Sequence, residues 1–169
     1  VRDFTKWDDQ PASPEAAVEA IRRGVMLANT RPSGPVYVNL DVSVQEQEMS
    51  GLPSLDDFAY FPTPDDSEPP RAALDAAVAI LQKSERPFIF CGRGSRSEEE
   101  WQDRIALAEL LNARTATHMK LAAGFPTTHP LFVGETGWRL KGAVLDSLRS
   151  ADALLILDWL DAGNMLKLA

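Results

Sequence analysis

The chain has a single cysteine, Cys91, only two histidines, His118 and His129, and no run of about 18 apolar residues. One thiol makes no internal disulfide, and inside an apolar stretch it reads as a small core hydrophobe rather than a reactive group. Neither His-x-x-x-His nor Cys-x-x-Cys spacing occurs, so a zinc site of the usual kind is not expected. Gly-x-Ser-x-Gly is missing as well, and Ser95 and Ser97 have no histidine in a triad-like context. Both histidines read as ordinary polar residues, one at a strand end and one in a proline-flanked loop. Without a long apolar run no helix is expected to cross a membrane. Positive charge is scarce too: 17 Lys and Arg stand against 25 Asp and Glu, for a net charge of −8. Neither a nucleic acid nor an anionic membrane surface is therefore an expected partner. The first nine residues are polar and lack the apolar segment of a secretory leader, and a reducing, cytoplasmic setting is expected.

What is present is organised around Arg86-Pro-Phe-Ile-Phe-Cys91, followed by Gly92-Arg-Gly94 and Ser97-Glu-Glu-Glu100. A short apolar run bounded by Pro and Gly predicts a strand buried on both faces. Glycines at its end permit a close backbone approach or a positive φ. Ser97, with Glu100 three residues on, is the signature of a helix N-cap. Trp101, Ile105, Ala108 and Leu111 then mark one helical face. Arg114-Thr-Ala-Thr-His118 supplies a returning strand, completing a right-handed βαβ unit. The expected class is α/β.

Upstream, Ser13-Pro14-Glu15 predicts a well-capped helix with Val18, Ile21, Val25 and Ala28 lining one face, stopped by Arg31-Pro-Ser-Gly-Pro35. Val36 to Leu40 reads as a strand standing alone, exposed at both edges and prone to association. This opening segment resembles the end of a domain whose earlier part is not included. Residues 45–70 are rich in Pro and acids, with Phe58, Tyr60 and Phe61 between them, and read as a linker pinned to a surface. From Arg71 a stripe of Leu74, Ala77, Val78 and Leu81 predicts a helix leading into the central strand. Downstream, Leu131 to Gly134 reads as a short strand, Gly134-Glu-Thr-Gly137 as a second glycine turn, and Leu140, Val144 and Leu148 as a helix. Ala153 to Leu157 is another continuous apolar strand, and Gly163 to Ala169 the start of a helix. The sum is a doubly wound parallel sheet, preceded by a helix–strand remnant and a Pro-rich linker.

Such sheets bind ligands beyond the carboxyl ends of their strands. A nucleotide site there would use Gly92, Arg93, Gly94 and Arg96 at one turn, Gly134 and Gly137 at another, and Asp158 at the last strand end. Against a dinucleotide, Glu98, Glu99 and Glu100 occupy the helix terminus where a phosphate would sit. His118-Met-Lys120 also offers no acid for a ribose diol. Packing turns with surface arginines account for the same residues. Asp158 and Asp161 straddle Trp159 and suit a turn or cap as well as a ligand.

Four segments together resemble the thiamin-diphosphate-dependent decarboxylase and acetolactate synthase superfamily. Gly34-Pro-Val-Tyr-Val-Asn-Leu-Asp41 resembles the last strand of its pyrimidine-binding domain. Arg86 to Gly94 is similar to the first strand and turn of its central domain. Ala123-Gly-Phe-Pro-Thr-Thr-His-Pro-Leu-Phe-Val-Gly134 and Ser150-Ala-Asp-Ala-Leu-Leu-Ile-Leu157 are similar to two later segments of that domain, in the family's order. The resemblance implies a C-terminal remnant of the pyrimidine-binding domain over 1–44, a linker over 45–70, and a truncated Rossmann-like central domain over 71–169. It implies a parent that makes or breaks a carbon–carbon bond beside a carbonyl, using thiamin diphosphate and Mg2+. The family's cofactor-activating Glu lies upstream of these residues, and its Gly-Asp-Gly and Asn-Asn metal motif is absent here. The chain alone is thus expected to be structural, inactive and free of both cofactors, joined to the missing pyrimidine- and diphosphate-binding domains in a homo-oligomer. Some members carry FAD on the central domain. After the Ala-Asp strand many show Gly-x-Arg, where this chain has Asp158-Trp-Leu-Asp161. The alternative is a module holding FAD, ADP or a CoA-type ligand at the glycine turns. An NAD-dependent deacylase, which shares a similar sheet, would need a four-cysteine zinc module that one cysteine cannot supply.

Overall fold

The computed structural model of the chain describes residues 1–49, 51, 62–64, 67–94, 97–137, 139–159 and 161–167. They form two units, Val1–Glu68 and Pro69–Ala169. Most of the proline-rich stretch, including Phe58, Tyr60 and Phe61, lies outside the described residues, as do Ser95 and Arg96.

The first unit holds β1 (Trp7–Asp9), α1 (Pro14–Asn29), β2 (Val36–Val38) and α2 (Val42–Gln45). Ser13 caps α1 as its sequence predicts, its hydroxyl accepting from the Ala16 amide at 3.2 Å. Two expectations are corrected here. The strand at Val36 is not alone, because Trp7–Asp9 pairs with it in parallel register, Trp7 opposite Val36. Nor does α1 bury Val18, Ile21, Val25 and Ala28: its buried residues are Pro14, Ala17, Ala20 and Gly24, and Val25 is 52% exposed. Small side chains let the helix lie close on the strands. A Cβ on Gly24 would come within 3.3 Å of Val36 Cγ2 and 3.6 Å of the Trp7 ring. Asp41 then accepts from the Ser43 amide and starts α2, a short helix that the linker reading had not anticipated.

The second unit contains α3 (Arg71–Leu81), β3 (Pro87–Cys91), α4 (Glu98–Leu111), β4 (Arg114–His118), β5 (Phe132–Thr136), α5 (Gly142–Ser150), β6 (Ala153–Leu157) and α6 (Ala162–Lys167). Four parallel strands lie in the order β5-β4-β3-β6. The chain steps outward from β3 to β4 to β5, then crosses back to the free edge of β3. The crossovers place helices on both faces. Phe88, Phe90 and Ala116 pack with Val144 and Leu148 of α5. Ile89 and Cys91 pack with Ile105, Ala108 and Leu111 of α4. Every residue of β3 is buried, which accounts for its unbroken apolar sequence. Ser97 caps α4, accepting from the Glu100 amide at 3.2 Å, and Asn112 ends the helix in a left-handed conformation with φ 47°.

Three further expectations shift. The stripe on α3 stays exposed at Leu74 and Val78, with Ala77 and Leu81 half-buried. Strand β5 does not stop at Gly134 but continues to Thr136, so Gly134-Glu-Thr is strand rather than turn. Gly134, with φ 142°, sits at a bulge where the register against Thr115 and Ala116 shifts. Strand β6, although wholly apolar, is half-buried at the edge of this sheet among the described residues.

Asp152 joins the turn before β3 to the start of β6. Its carboxylate accepts from the Ser84 hydroxyl, from the Glu85 amide at 2.9 Å and from the Arg86 amide at 3.0 Å. Those donors, the Ser84 hydroxyl foremost, hold the carboxyl down at about 2. A carboxylate lowered in the folded state adds stability above its unfolded value, 3.8, and loses it as pH falls through about 2. Asp152→Asn is therefore expected to lower the melting temperature at neutral pH. The gap to the wild type should close between about pH 4 and pH 2. A gap that stays constant on acidification would show that Asp152 does not act through its charge.

Candidate functional site at the sheet's switch point

The strand order reverses beside β3, whose neighbours β4 and β6 are reached in opposite directions. The crevice outside the carboxyl ends of β3 and β6 is where a doubly wound sheet places a ligand. Gly92, Arg93, Gly94 and Asp158 meet there.

Backbone packing, rather than ligand access, explains Gly92. A Cβ on it would stand 2.2 Å from the Asp158 carbonyl oxygen and 2.3 Å from that of Leu157. The crook is sewn to the end of β6 by two hydrogen bonds: the Gly92 amide donates to Leu157 O at 2.8 Å, and the Arg93 amide to Asp158 O at 2.9 Å. Two of the amides that would cradle a phosphate are thus already used. Asp158 has φ 42°, in the left-handed region that glycine adopts freely and that Asp and Asn tolerate better than other residues. Its carboxylate accepts from Arg93 Nη2 at 2.9 Å. The Nε of Arg93 is buried and has no partner among the described residues.

Gly94 leaves room for Arg104 of α4, whose Nη1 would lie 2.9 Å from a Cβ there. Arg104 is largely buried, with Nε donating to Gly124 O at 3.2 Å, Nη2 to Ala123 O at 3.3 Å, and Glu100 at 4.0 Å. It also lies over the Trp101 ring, 5.9 Å from the centroid. Sequence reasoning missed this residue. Its signal was an arginine set between Trp101 and Ile105, beside the apolar stripe of the helix. Burial pushes the neighbouring Cys91 thiol up to about 11, against a smaller opposing pull from Arg104.

Across the sheet, His118 Nδ1 accepts from the Lys120 amide at 3.1 Å, and its ring meets Trp159 edge-on at 5.6 Å. Trp159 also packs on Phe90 at 4.8 Å. Thr136, at the end of β5, is buried with its hydroxyl unpartnered among the described residues. Gly137 follows it, closest to Met119. His129 is a loop residue: Nδ1 accepts from the Leu131 amide and Nε2 lies 3.2 Å from Glu109. Asp161 caps α6, accepting from the Asn164 amide at 3.2 Å. Of the residues singled out in the sequence, Gly92, Arg93, Gly94 and Asp158 converge at one crevice. Gly134 belongs to a strand, Gly137 lies beyond the β5 end, and Arg96 is outside the described residues.

No group of three His, Cys, Asp or Glu side chains among the described residues is placed to hold a metal ion. Nor is any helix there long and apolar enough to cross a membrane. What fold and crevice define is an α/β protein with a Rossmann-like sheet whose switch point holds the Arg93–Asp158 ion pair. Residues 74–158 match the family model described as thiamine pyrophosphate enzyme, central domain, and the chain belongs to that family.

The relatives agree with this placement. Sulfoacetaldehyde acetyltransferase of Rhodobacter capsulatus is 32% identical over 92% of this chain and 25% of its own length. The acetolactate synthase large subunit of Corynebacterium glutamicum is 24% identical over 90% of this chain and 24% of its own. Among solved structures, benzoylformate decarboxylase of Polynucleobacter necessarius superimposes with a TM-score of 0.59 at 23% identity, over 90% of this chain and 28% of its own. The thiamine diphosphate-dependent 4-hydroxybenzoylformate decarboxylase of Rhodococcus jostii gives 0.60 at 22%, over 90% and 29%. The two structures support the fold. The chain spans about a quarter of the length of the curated relatives it matches. The family's cofactor is thiamin diphosphate, and the sequence contains neither Gly-Asp-Gly nor Asn-Asn.

Two outcomes follow from the crook. Gly92→Ala forces a side chain onto backbone carbonyls and should cost at least about 2 kcal/mol in denaturant unfolding. A loss below about 0.5 kcal/mol would mean that β6 does not close on β3 as described. Cys91, buried with a raised pKa, should stay unmodified by a thiol reagent at about pH 8 until the protein unfolds. Labelling as fast as that of a free thiol would contradict its burial.

Proposed function

We propose that this chain acts as the spacing domain of a thiamin-diphosphate-dependent enzyme that makes or breaks a carbon–carbon bond beside a carbonyl. Its parent is a 2-keto acid decarboxylase or an acetolactate synthase-like carboligase. The observation that carries the reading is the family match across 74–158, which spans the second unit from α3 to the end of β6. In this reading residues 1–44 close the preceding pyrimidine-binding domain, 45–70 form the linker and 71–169 the central domain. Thiamin diphosphate and Mg2+ bind elsewhere in the parent, on pyrimidine- and diphosphate-binding domains. The relatives' greater length supports that division. The role of these residues is to set the spacing of those domains and contribute to subunit contacts in a cytoplasmic homo-oligomer.

The competing reading, a module holding FAD, ADP or a CoA-type ligand at Gly92, Gly94, Gly134 and Gly137, has less support. The amides of Gly92 and Arg93 are already bonded and Gly134 lies within β5.

The test uses the whole reading frame that encodes this chain. The expected product carries an activating Glu upstream and a Gly-Asp-Gly and Asn-Asn pair downstream. It should consume pyruvate with added thiamin diphosphate and Mg2+, while the 169-residue chain shows no saturable heat with either. A frame ending near Ala169, or saturable cofactor binding by the chain alone, would overturn the proposal.

A further inference from the structure

A guanidinium presents two parallel N–H groups that match the two oxygens of a carboxylate or phosphate. At the switch point Arg93 uses only one such contact, Nη2 to Asp158 at 2.9 Å, and its Nε is buried with no partner among the described residues. The carboxylate reaches Arg93 from a residue in the left-handed region, φ 42°, where glycine would sit without strain. No other hydrogen bond or ion pair engages the Asp158 side chain among the described residues. The backbone there is fixed independently, by the Gly92 and Arg93 amides on Leu157 O and Asp158 O. Asp158 thus stands at a position that glycine would also fill, and its side chain touches Arg93, a cation of the crevice. The nearby acids Glu98, Glu99 and Glu100, in the first turn of α4, add charge of the same sign.

We propose that Asp158 is an internal anion. Its carboxylate takes the place of a ligand's phosphate or carboxylate on Arg93 and makes this crevice refuse the anionic ligands that a doubly wound sheet otherwise holds there. Asp158 is in this sense a residue that sets specificity by exclusion. The inference goes beyond the assignment of the chain as a spacing domain and does not depend on it, since it concerns only Arg93, Asp158 and the end of β6.

The test titrates ADP, and separately inorganic pyrophosphate, into the full chain, read by calorimetry and by the fluorescence of the adjacent Trp159. The wild type should give no saturable signal at millimolar ligand. Asp158→Gly, which removes the charge and relieves the backbone, should bind ADP at least about ten-fold more tightly, equivalent to about 1.4 kcal/mol. Asp158→Asn, which keeps the shape and removes the charge, decides the matter if the glycine variant does not fold. Adding Arg93→Ala to either variant should abolish the gain. The proposal fails if the wild type binds ADP as tightly as the variants. It fails also if folded Asp158→Asn and Asp158→Gly proteins bind no better than the wild type, or if the gain survives Arg93→Ala.

Discussion

The contact on which the second unit depends is that of one backbone with another, where Gly92 lies against the carbonyls of Leu157 and Asp158. Strand β3 is buried on both faces and paired on both edges, so it has no freedom to adjust once β4 and β6 are in place. Its carboxyl end must then turn within the width of a single residue. Only glycine leaves that room. From this follow the two amide bonds to β6, the positive φ at Asp158 and the approach of Arg93 to the Asp158 carboxylate. The same economy of space recurs one turn later, where Gly94 accommodates Arg104 from α4.

These features bear on how the end of a Rossmann-like sheet can be occupied by its own chain. The usual site needs free amides, a helix terminus open to an anion, and space over the first strand. Here the amides are bonded to β6, the first turn of α4 carries three glutamates, and two arginines are held by acceptors of the chain. The family's Gly-Asp-Gly and Asn-Asn motif does not occur in this sequence.

Much of this was legible in the sequence because it was local. The apolar run of β3, the Ser97 cap, the Ser13-Pro14 start and the apolar β6 are each written within a few residues, and the structure holds them where they were expected. Several of the misreadings involve partners distant in sequence. Trp7–Asp9 is a strand because Val36–Val38 accepts it, and a polar tripeptide carries no periodicity that would announce it. The buried face of α1 was set by what fits against Trp7 and Val36, so size prevailed over hydrophobicity at Gly24. Gly134 became a bulge because β4 and β5 slip in register, which no turn pattern encodes. At the crevice, Gly92, Arg93 and Asp158 were visible as candidates, but the ion pair joining residues 65 apart was not. Arg104 was invisible for a related reason: its acceptors come from Ala123 and Gly124, on a loop beyond the next strand.

The clasp at Asp152 also closes the longer of two loops. It holds the start of β6 against residues 66 to 68 positions earlier, whereas β4 pairs with β3 across only 26, Phe88 to Arg114. Closing the longer loop costs about 1 kcal/mol more in chain entropy, and it gains nothing until both ends are in register. Chain entropy alone thus favours closing β3 on β4 over closing it on β6. Without β6, one edge of β3, with Phe88 and Phe90 on it, would stand open to any other strand. The Asp152 clasp ties down the start of the strand that covers that edge.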